Sequence, residues 1–312
     1  MASLAPEISI VVPTYNRLAE LRAALASILD QTVCRPVELI VVDDGSVDGT
    51  WNWLSEHMAC LPAVKLIRSP RNDGPGPARN LALNVAKGRY FLPIDSDFIL
   101  IDGSLDHILA AIRENSGYHL FFFPCLQFPG MRRLDTLQGR CEISRESFLT
   151  TPVGELIPVA DLCYLRSHDL SYPGLRAGGE GLLWARMLAG GPALFVDSPI
   201  VLYRTDVKGR ICTLDYQMGN PAALAEVADA LVELFPPNSG GTLRTIRCRK
   251  LRASGTYHLL AGHGRIGRRR LMSAAACGDV AAIVTLAASL GGTQFFRKLF
   301  QLYRTRVRPA YL

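Results

Sequence analysis

The 312-residue sequence predicts an α/β fold, a mostly parallel sheet flanked by helices, followed by a helical appendage. Three observations predict it. Short apolar runs alternate with segments of helical periodicity in the N-terminal third. A cluster of polar or acidic residues follows each of four such runs, as expected where ligands bind beyond the carboxyl ends of parallel strands. After residue 210 the strand-like runs stop and amphipathic helical patterns take over.

Residues 7–12 form the first apolar run, ending in Pro13, and "RLAELRAALASILDQ" after it repeats its apolar positions at helical spacing. "VELIVVDDGS" is a second strand ending in carboxylates. "DGTWNWLSEHM" follows as a helix for which Asp48 or Thr50 supplies the cap. "VKLIRSP" is a third strand. The turn-rich "RNDGPG" then leads into the helical "PARNLALNVAKG", and "RYFLPI" is the fourth strand. From about residue 140 to 175 periodicity is lost, and a loop-rich surface over the sheet edge is expected. "GGEGLLWARMLAGGPALFVDSPIVLYR" then reads as glycine turn, short helix, glycine stop and strand. Helices are expected over 220–235, 243–262, 265–276, 280–290 and 294–305.

The net charge of +6 conceals a division. From Arg244 onward there are 14 Lys/Arg and a single acidic residue, Asp279, whereas the preceding chain carries 20 basic and 27 acidic side chains. Such a basic end suits an anionic partner, either a membrane surface or a phosphate-bearing substrate. "LMSAAACGDVAAIVTLAASL" is the segment most like a membrane span. Its central Asp279 would cost about 2.5–3.5 kcal/mol on insertion, so two short helices joined at Gly278, with Asp279 capping the second, are predicted instead. Terminal arginines with Phe295, Phe296, Phe300 and Tyr303 give the last helix the makings of a surface-lying or docked amphipathic helix. The eight cysteines show neither C-x-x-C pairs nor zinc-ligand spacing and read as reduced thiols. No basic region, apolar core and cleavage site occur in that order near the start, so a cytoplasmic location is expected, peripheral on the inner membrane face if the tail binds lipid.

The candidate site residues lie at the four predicted strand ends. The first end carries Pro13, Tyr15 and Arg17, the second Asp43 and Asp44, the third the loop Asn72–Pro77 with Arg79 just beyond it. The fourth carries Asp95, Ser96 and Asp97. In an extended chain residues i and i+2 face the same side, so Asp95 and Asp97 converge, and paired carboxylates repel unless something positive sits between them. A single acidic turn would be ordinary. Four clusters in register on one rim point to a ligand.

"IVVPTYNR", "VVDDGSVDGT", "NDGPGPARNLALNVAKGRYFLPIDSD" and "GEGLLWARML" together resemble the signature blocks of the family 2 inverting, nucleotide-sugar-dependent glycosyltransferases with the GT-A fold, over roughly residues 7–205. The resemblance implies a GT-A catalytic domain over 1–210, with a nucleotide-sugar half over about 1–100 and an acceptor half over about 101–210, and a basic, mostly helical region over 211–312. It implies that Pro13 and Tyr15 line the uracil of a UDP-sugar, that Asp44, with Asp43 nearby, accepts from the base, and that Arg79 lies beside the diphosphate. Asp95-Ser96-Asp97 matches the family's DxD motif, with Asp97 and Asp95 holding Mg²⁺ or Mn²⁺ and Asp95 also near the donor's ribose or sugar. The ion would act as a Lewis acid toward the departing nucleoside diphosphate. Alignment through Leu183, Trp184 and Arg186 implies Glu180 as the general base, its other reading being a first-turn acid favoured by the helix dipole. It departs from the family there, because Gly179-Glu180 stands where Glu-Asp is common. The processive synthases' Q-x-x-R-W block and membrane helices are not seen in the sequence, so transfer of one sugar per encounter is expected.

The expected acceptor is a carbohydrate hydroxyl, on a polyprenyl-diphosphate-linked oligosaccharide if the chain serves bacterial surface polysaccharide assembly. A nucleic-acid partner is not expected. The alternatives are a nucleotidyltransferase, disfavoured because Pro13–Arg17 lacks a glycine-rich loop, and a non-catalytic GT-A-like scaffold, which the incomplete acidic pair keeps open. A dinucleotide oxidoreductase is excluded, since no G-x-G-x-x-G follows the first strand.

Overall fold

A computed structural model describes residues 5–33, 35–151, 154–205 and 213–306. In chain order it runs β1 (Ile8–Thr14), α1 (Leu18–Thr32), β2 (Val37–Asp43), α2 (Thr50–His57), β3 (Val64–Arg68), α3 (Pro75–Val85), β4 (Tyr90–Pro93), β5 (Phe98–Leu100), α4 (Ser104–Glu114) and β6 (Leu120–Phe128). It continues with β7 (Arg132–Arg133), β8 (Cys141–Ile143), α5 (Arg145–Thr150), β9 (Leu156–Asp161), α6 (Leu162–Ser167), α7 (Glu180–Met187), β10 (Ala193–Phe195) and β11 (Val201–Arg204). The remainder is helical: α8 (Leu214–Gly219), α9 (Pro221–Glu233), α10 (Gly241–Leu260), α11 (Gly264–Ala276), α12 (Val280–Ala288), a 3-10 turn (Ser289–Gly291) and α13 (Thr293–Arg306). The chain forms two compact units, Met1–Gly174 with Leu183–Val207, and Leu175–Leu182 with Lys208–Leu312. The domain boundary expected at 210/211 lies outside the described residues.

In the first unit the described strands form one sheet, ordered β3-β2-β1-β4-β9-β6-β10-β8, with β7 and β11 paired to β6 and β5 paired to β11. The first four strands are parallel, in a register that sets Thr14 opposite Asp43 and Asp43 opposite Arg68. Their carboxyl ends therefore share one rim. Every residue of β1 is buried, the signature of a strand covered by helices on both faces. One apolar layer packs Leu21, Leu25 and Ile28 of α1 and Leu105 and Ile108 of α4 against Ile10 and Leu39. The opposite layer packs Ala78 and Ala82 of α3 and Trp184 of α7 against Val11, Ile40 and Phe91.

The segment 140–175 is more regular than its composition suggested. It contains β9, which sits inside the sheet between β4 and β6 and pairs antiparallel with both. Five of its six residues are buried, so no polar alternation marks it, and Pro158 lowers its apparent strand propensity.

The second unit is built around α9–α11 and α13, with Leu251, Leu259, Leu271, Ala282 and Phe296 in its core. Gly255 on α10 and Gly267 on α11 make a close helix crossing. A Cβ on Gly255 would lie 2.9 Å from the Gly267 carbonyl and 2.7 Å from Leu271, so only hydrogen fits. As the sequence predicts, α11 and α12 are separate helices, and the Asp279 carboxylate accepts from Ala282 N at 3.2 Å to cap the second. Among the described residues no helix is long and apolar enough to cross a membrane.

Candidate donor site

The rim is assembled by side chains that tie successive strand ends together. Beyond β1, Asn16 N donates to Ser46 Oγ at 2.9 Å, and Val47 N donates to Asn16 Oδ1 at 2.8 Å, which locks the first strand end to the second. Pro13 stands past the last β1–β4 pair, Val11 with Pro93, so its missing N–H breaks no bond on that side. Tyr15, the next residue after β1, is 40% exposed, and its ring is available for stacking.

Asp43 and Asp44 are both buried. Asp43 Oδ1 accepts from Ser46 N at 3.0 Å, and its Oδ2 faces Arg68 Nε at 3.6 Å. Between them and Ser46 stands Gly45 with φ +79°, where a Cβ would meet the Arg71 backbone at 2.9 Å. Asp44 accepts from Gly74 N at 2.7 Å and Asp73 N at 3.2 Å, so it orders the loop that starts α3. Burial pushes the Asp44 carboxyl above its ordinary value, and these two hydrogen bonds only partly offset that cost.

On α3, Arg79 is nearly buried and donates through Nη2 to Asp95 Oδ1 at 2.5 Å. Its guanidinium carbon lies 5.4 Å from the centroid of Tyr172, a cation–π contact. Tyr172 is itself held by two 2.9 Å hydrogen bonds between its backbone and the Asn80 side chain, and its ring meets Trp184 edge-on. Asp97 Oδ2 accepts from Arg17 Nη1 at 2.8 Å. Each carboxylate of the Asp-Ser-Asp segment thus faces a guanidinium.

That segment is not extended, contrary to the i, i+2 argument. β4 ends at Pro93, and Phe98 N donates to Asp95 O at 3.0 Å, closing a turn over Asp95–Phe98. The turn carries the two carboxylates, and each is paired with a different arginine, Arg79 on α3 and Arg17 just beyond β1. The buried Ser96 lies within the same turn. Among the described residues no three His, Cys, Asp or Glu side chains cluster into a metal site of their own. The donor set still fits a hard divalent ion, because Mg²⁺ is commonly held by one or two carboxylates with substrate phosphates and water completing the shell.

Pro13, Tyr15, Asp43, Asp44, Arg79, Asp95, Ser96 and Asp97 therefore share this rim of the first unit. Glu180 is the first residue of α7 and falls in the short segment grouped with the second unit. Tyr172 escaped the sequence reading, since it sits in an aperiodic loop. Arg17 was visible beside Tyr15, but its pairing with Asp97, 80 residues away, was not.

The sheet is mostly parallel, and an arginine-paired Asp-Ser-Asp turn lies at its carboxyl rim, in a mixed α/β arrangement of the GT-A type. Residues 9–141 match the profile described as Glycosyl transferase family 2. It is 36% identical over 110 residues to an uncharacterized glycosyltransferase of Haemophilus influenzae, 35% of this chain and 44% of that protein. It is 28% identical over 193 residues to the GalNAc(5)-diNAcBac-PP-undecaprenol beta-1,3-glucosyltransferase of Campylobacter jejuni, 58% of this chain and 60% of that one. The matched stretches thus span less than two thirds of these relatives. Among solved structures, S. aureus TarS 1-349 in complex with UDP superposes with a TM-score of 0.65 at 18% identity, over 96% of this chain and 91% of that chain. The Pyrobaculum calidifontis mannosyltransferase PcManGT, in complex with GDP-Man and Mn²⁺, gives 0.52 at 22% identity over 97% and 83%. At these identities the two likenesses establish the fold.

Proposed function

We propose that this chain is an inverting, non-processive glycosyltransferase that moves a sugar from a UDP-sugar to a carbohydrate hydroxyl. The observation that carries the reading is the pairing of Asp95 with Arg79 and Asp97 with Arg17 on one rim, inside the residues that match family 2. UDP is favoured over other nucleotides because the better-superposing relative holds it. Tyr15 stacks on the base and Asp44 accepts from its N–H. Arg79 and Arg17, released in part from their carboxylates, face the diphosphate. Asp97 and Asp95 would hold Mg²⁺ or Mn²⁺, which supplies Lewis-acid stabilisation of the leaving diphosphate.

In the reaction the acceptor oxygen bonds to the anomeric carbon as the bond from that carbon to the diphosphate oxygen breaks. The electron pair leaves with UDP, the arginines stabilise it, and Glu180 takes the acceptor's proton. A polyprenyl-diphosphate-linked acceptor is supported by the lipid-linked substrate in the Campylobacter jejuni protein's name. A membrane-facing role for the C-terminal region is supported by α13, which exposes Phe295, Leu299, Leu302 and Tyr303 beside Lys298 and Arg306.

Titration with UDP, GDP and their sugars, each with Mn²⁺, Mg²⁺ or chelator, tests the donor reading. Metal-dependent UDP binding is expected. A folded sample that binds no nucleotide refutes it and favours the scaffold alternative, which the lone Glu180 in place of an acidic pair also suggests. Glu180→Gln should keep UDP affinity and lose transfer. Retained transfer removes Glu180 as base.

A further inference from the structure

The second unit holds a cavity of about 380 Å³ lined by Arg247, Leu251, Ile266, Arg269, Arg270 and Ser273. Its origin is legible in the helix repeat. Residues 247 and 251 are one turn apart on α10, and 266, 269, 270 and 273 follow i, i+3, i+4, i+7 spacing on α11, so each set lies along one stripe of its helix. The two helices touch at Gly255 and Gly267, where no side chain separates them. Toward residues 247 and 273 long side chains replace glycine, and the space between the stripes opens.

The lining is chemically lopsided. It has three guanidiniums, one hydroxyl, two aliphatic walls and no carboxylate. Arg270 reaches out to Asp229 Oδ1 at 3.0 Å, and Arg247 spends its Nε on the Phe235 carbonyl at 3.0 Å. Those bonds hold the two side chains in place and leave further N–H donors on each. Arg269 has no carboxylate partner among the described residues. Folding alone gives little reason to gather three like charges around a cavity, where they repel. A bound phosphate anion would turn that repulsion into attraction, and guanidinium forks match phosphate oxygens.

We propose that the α10–α11 cavity binds a phosphodiester or diphosphate group, with Arg247, Arg269 and Arg270 as its donors, Ser273 as a hydroxyl donor, and Leu251 and Ile266 covering the adjoining carbon chain. The inference deepens the reading of a phosphate-bearing acceptor and rests on it only for the biological source of the ligand. A membrane phospholipid headgroup and a soluble phosphate-linked substrate share this chemistry.

The test measures binding directly in the full chain, without transfer. Wild type, Arg247→Gln/Arg269→Gln and Ser273→Asp are titrated with inorganic pyrophosphate in chelator, and each is checked for UDP affinity with Mn²⁺. All altered side chains are at least partly exposed, and the Asp variant adds charge without removing an arginine. Both variants should weaken pyrophosphate binding at least about tenfold, the loss expected when one charge-assisted hydrogen bond disappears. UDP affinity should be unchanged. Equal pyrophosphate affinity in wild type and both variants, or none in wild type, overturns the proposal whatever the UDP result. Flotation with phosphatidylcholine vesicles, with and without phosphatidylglycerol, separates the sources. Phosphatidylglycerol-dependent binding that both variants lose and pyrophosphate displaces indicates a lipid headgroup. Vesicle binding unaffected by the variants, with pyrophosphate binding lost, indicates a soluble phosphate-bearing ligand.

Discussion

Replacing Arg79 by alanine separates the structural part of the rim from its chemistry. Arg79 is almost fully buried, but its partner Asp95 keeps 41% of its side chain exposed, so the variant leaves a carboxylate that water can solvate. Breaking a fully buried pair costs about 3–5 kcal/mol, and the exposed partner brings this nearer 2. Loss of the contact over Tyr172 adds about 0.5–1 kcal/mol. A total of about 2–3 kcal/mol should lower Tm by about 4–12 °C for a unit of this size. UDP binding should suffer separately. One lost guanidinium–phosphate hydrogen bond is worth about 1.5–3 kcal/mol, which corresponds to Kd rising about 10- to 100-fold. Arg79→Lys, with charge but no fork, should fall between. Calorimetric melting and UDP titration with Mn²⁺ read the two effects. A lowered Tm with wild-type UDP affinity would show that Arg79 only props the Asp95–Phe98 turn, and the donor assignment would be wrong.

Asp97→Asn should leave the melting curve within about 1 kcal/mol of wild type, because Arg17 is partly exposed, but UDP affinity should cease to respond to Mn²⁺ or Mg²⁺. An undiminished metal response removes Asp97 from the cation site. Gly255→Ala should destabilise the second unit by about 1–3 kcal/mol, since its Cβ would press on Leu271 and the Gly267 backbone. A wild-type melting temperature would contradict the close crossing. Burial raises the Asp229 carboxyl, but hydrogen bonds from Ser254 and His258 and the charge of Arg270 outweigh it, so the net shift is downward. Its stabilisation is complete above the ordinary aspartate value of about 3.9 and is lost as pH falls through the lower folded value. Asp229→Asn should therefore lower stability at neutral pH and flatten the acid limb of a Tm–pH profile. An unchanged acid limb would assign that limb to other carboxylates.

The alternation of apolar runs with helical periods was enough to predict β1 to β4 and their helices, because local burial and local hydrogen bonding both repeat along the chain. The same held for α9 to α13, and for the break at Gly278 with its Asp279 cap. The acidic and polar strand ends were equally legible, since a shared parallel register places every carboxyl end on one side. What the tertiary structure alone decided is which of those groups meet. Arg17 finds Asp97 and Arg79 finds Asp95 only once the strands are in register, and Tyr172 comes beneath Arg79 only when its loop is clamped by Asn80. β9 was hidden because a short strand buried on both faces carries no alternation, and its place between β4 and β6 is set by pairing partners distant in sequence. The arginine cavity is of the same kind. Its charges are plain in the sequence, but their convergence depends on two glycines drawing α10 and α11 together at one end. Periodic local forces leave a trace in one dimension, whereas contacts between distant residues exist only after the chain has closed on itself.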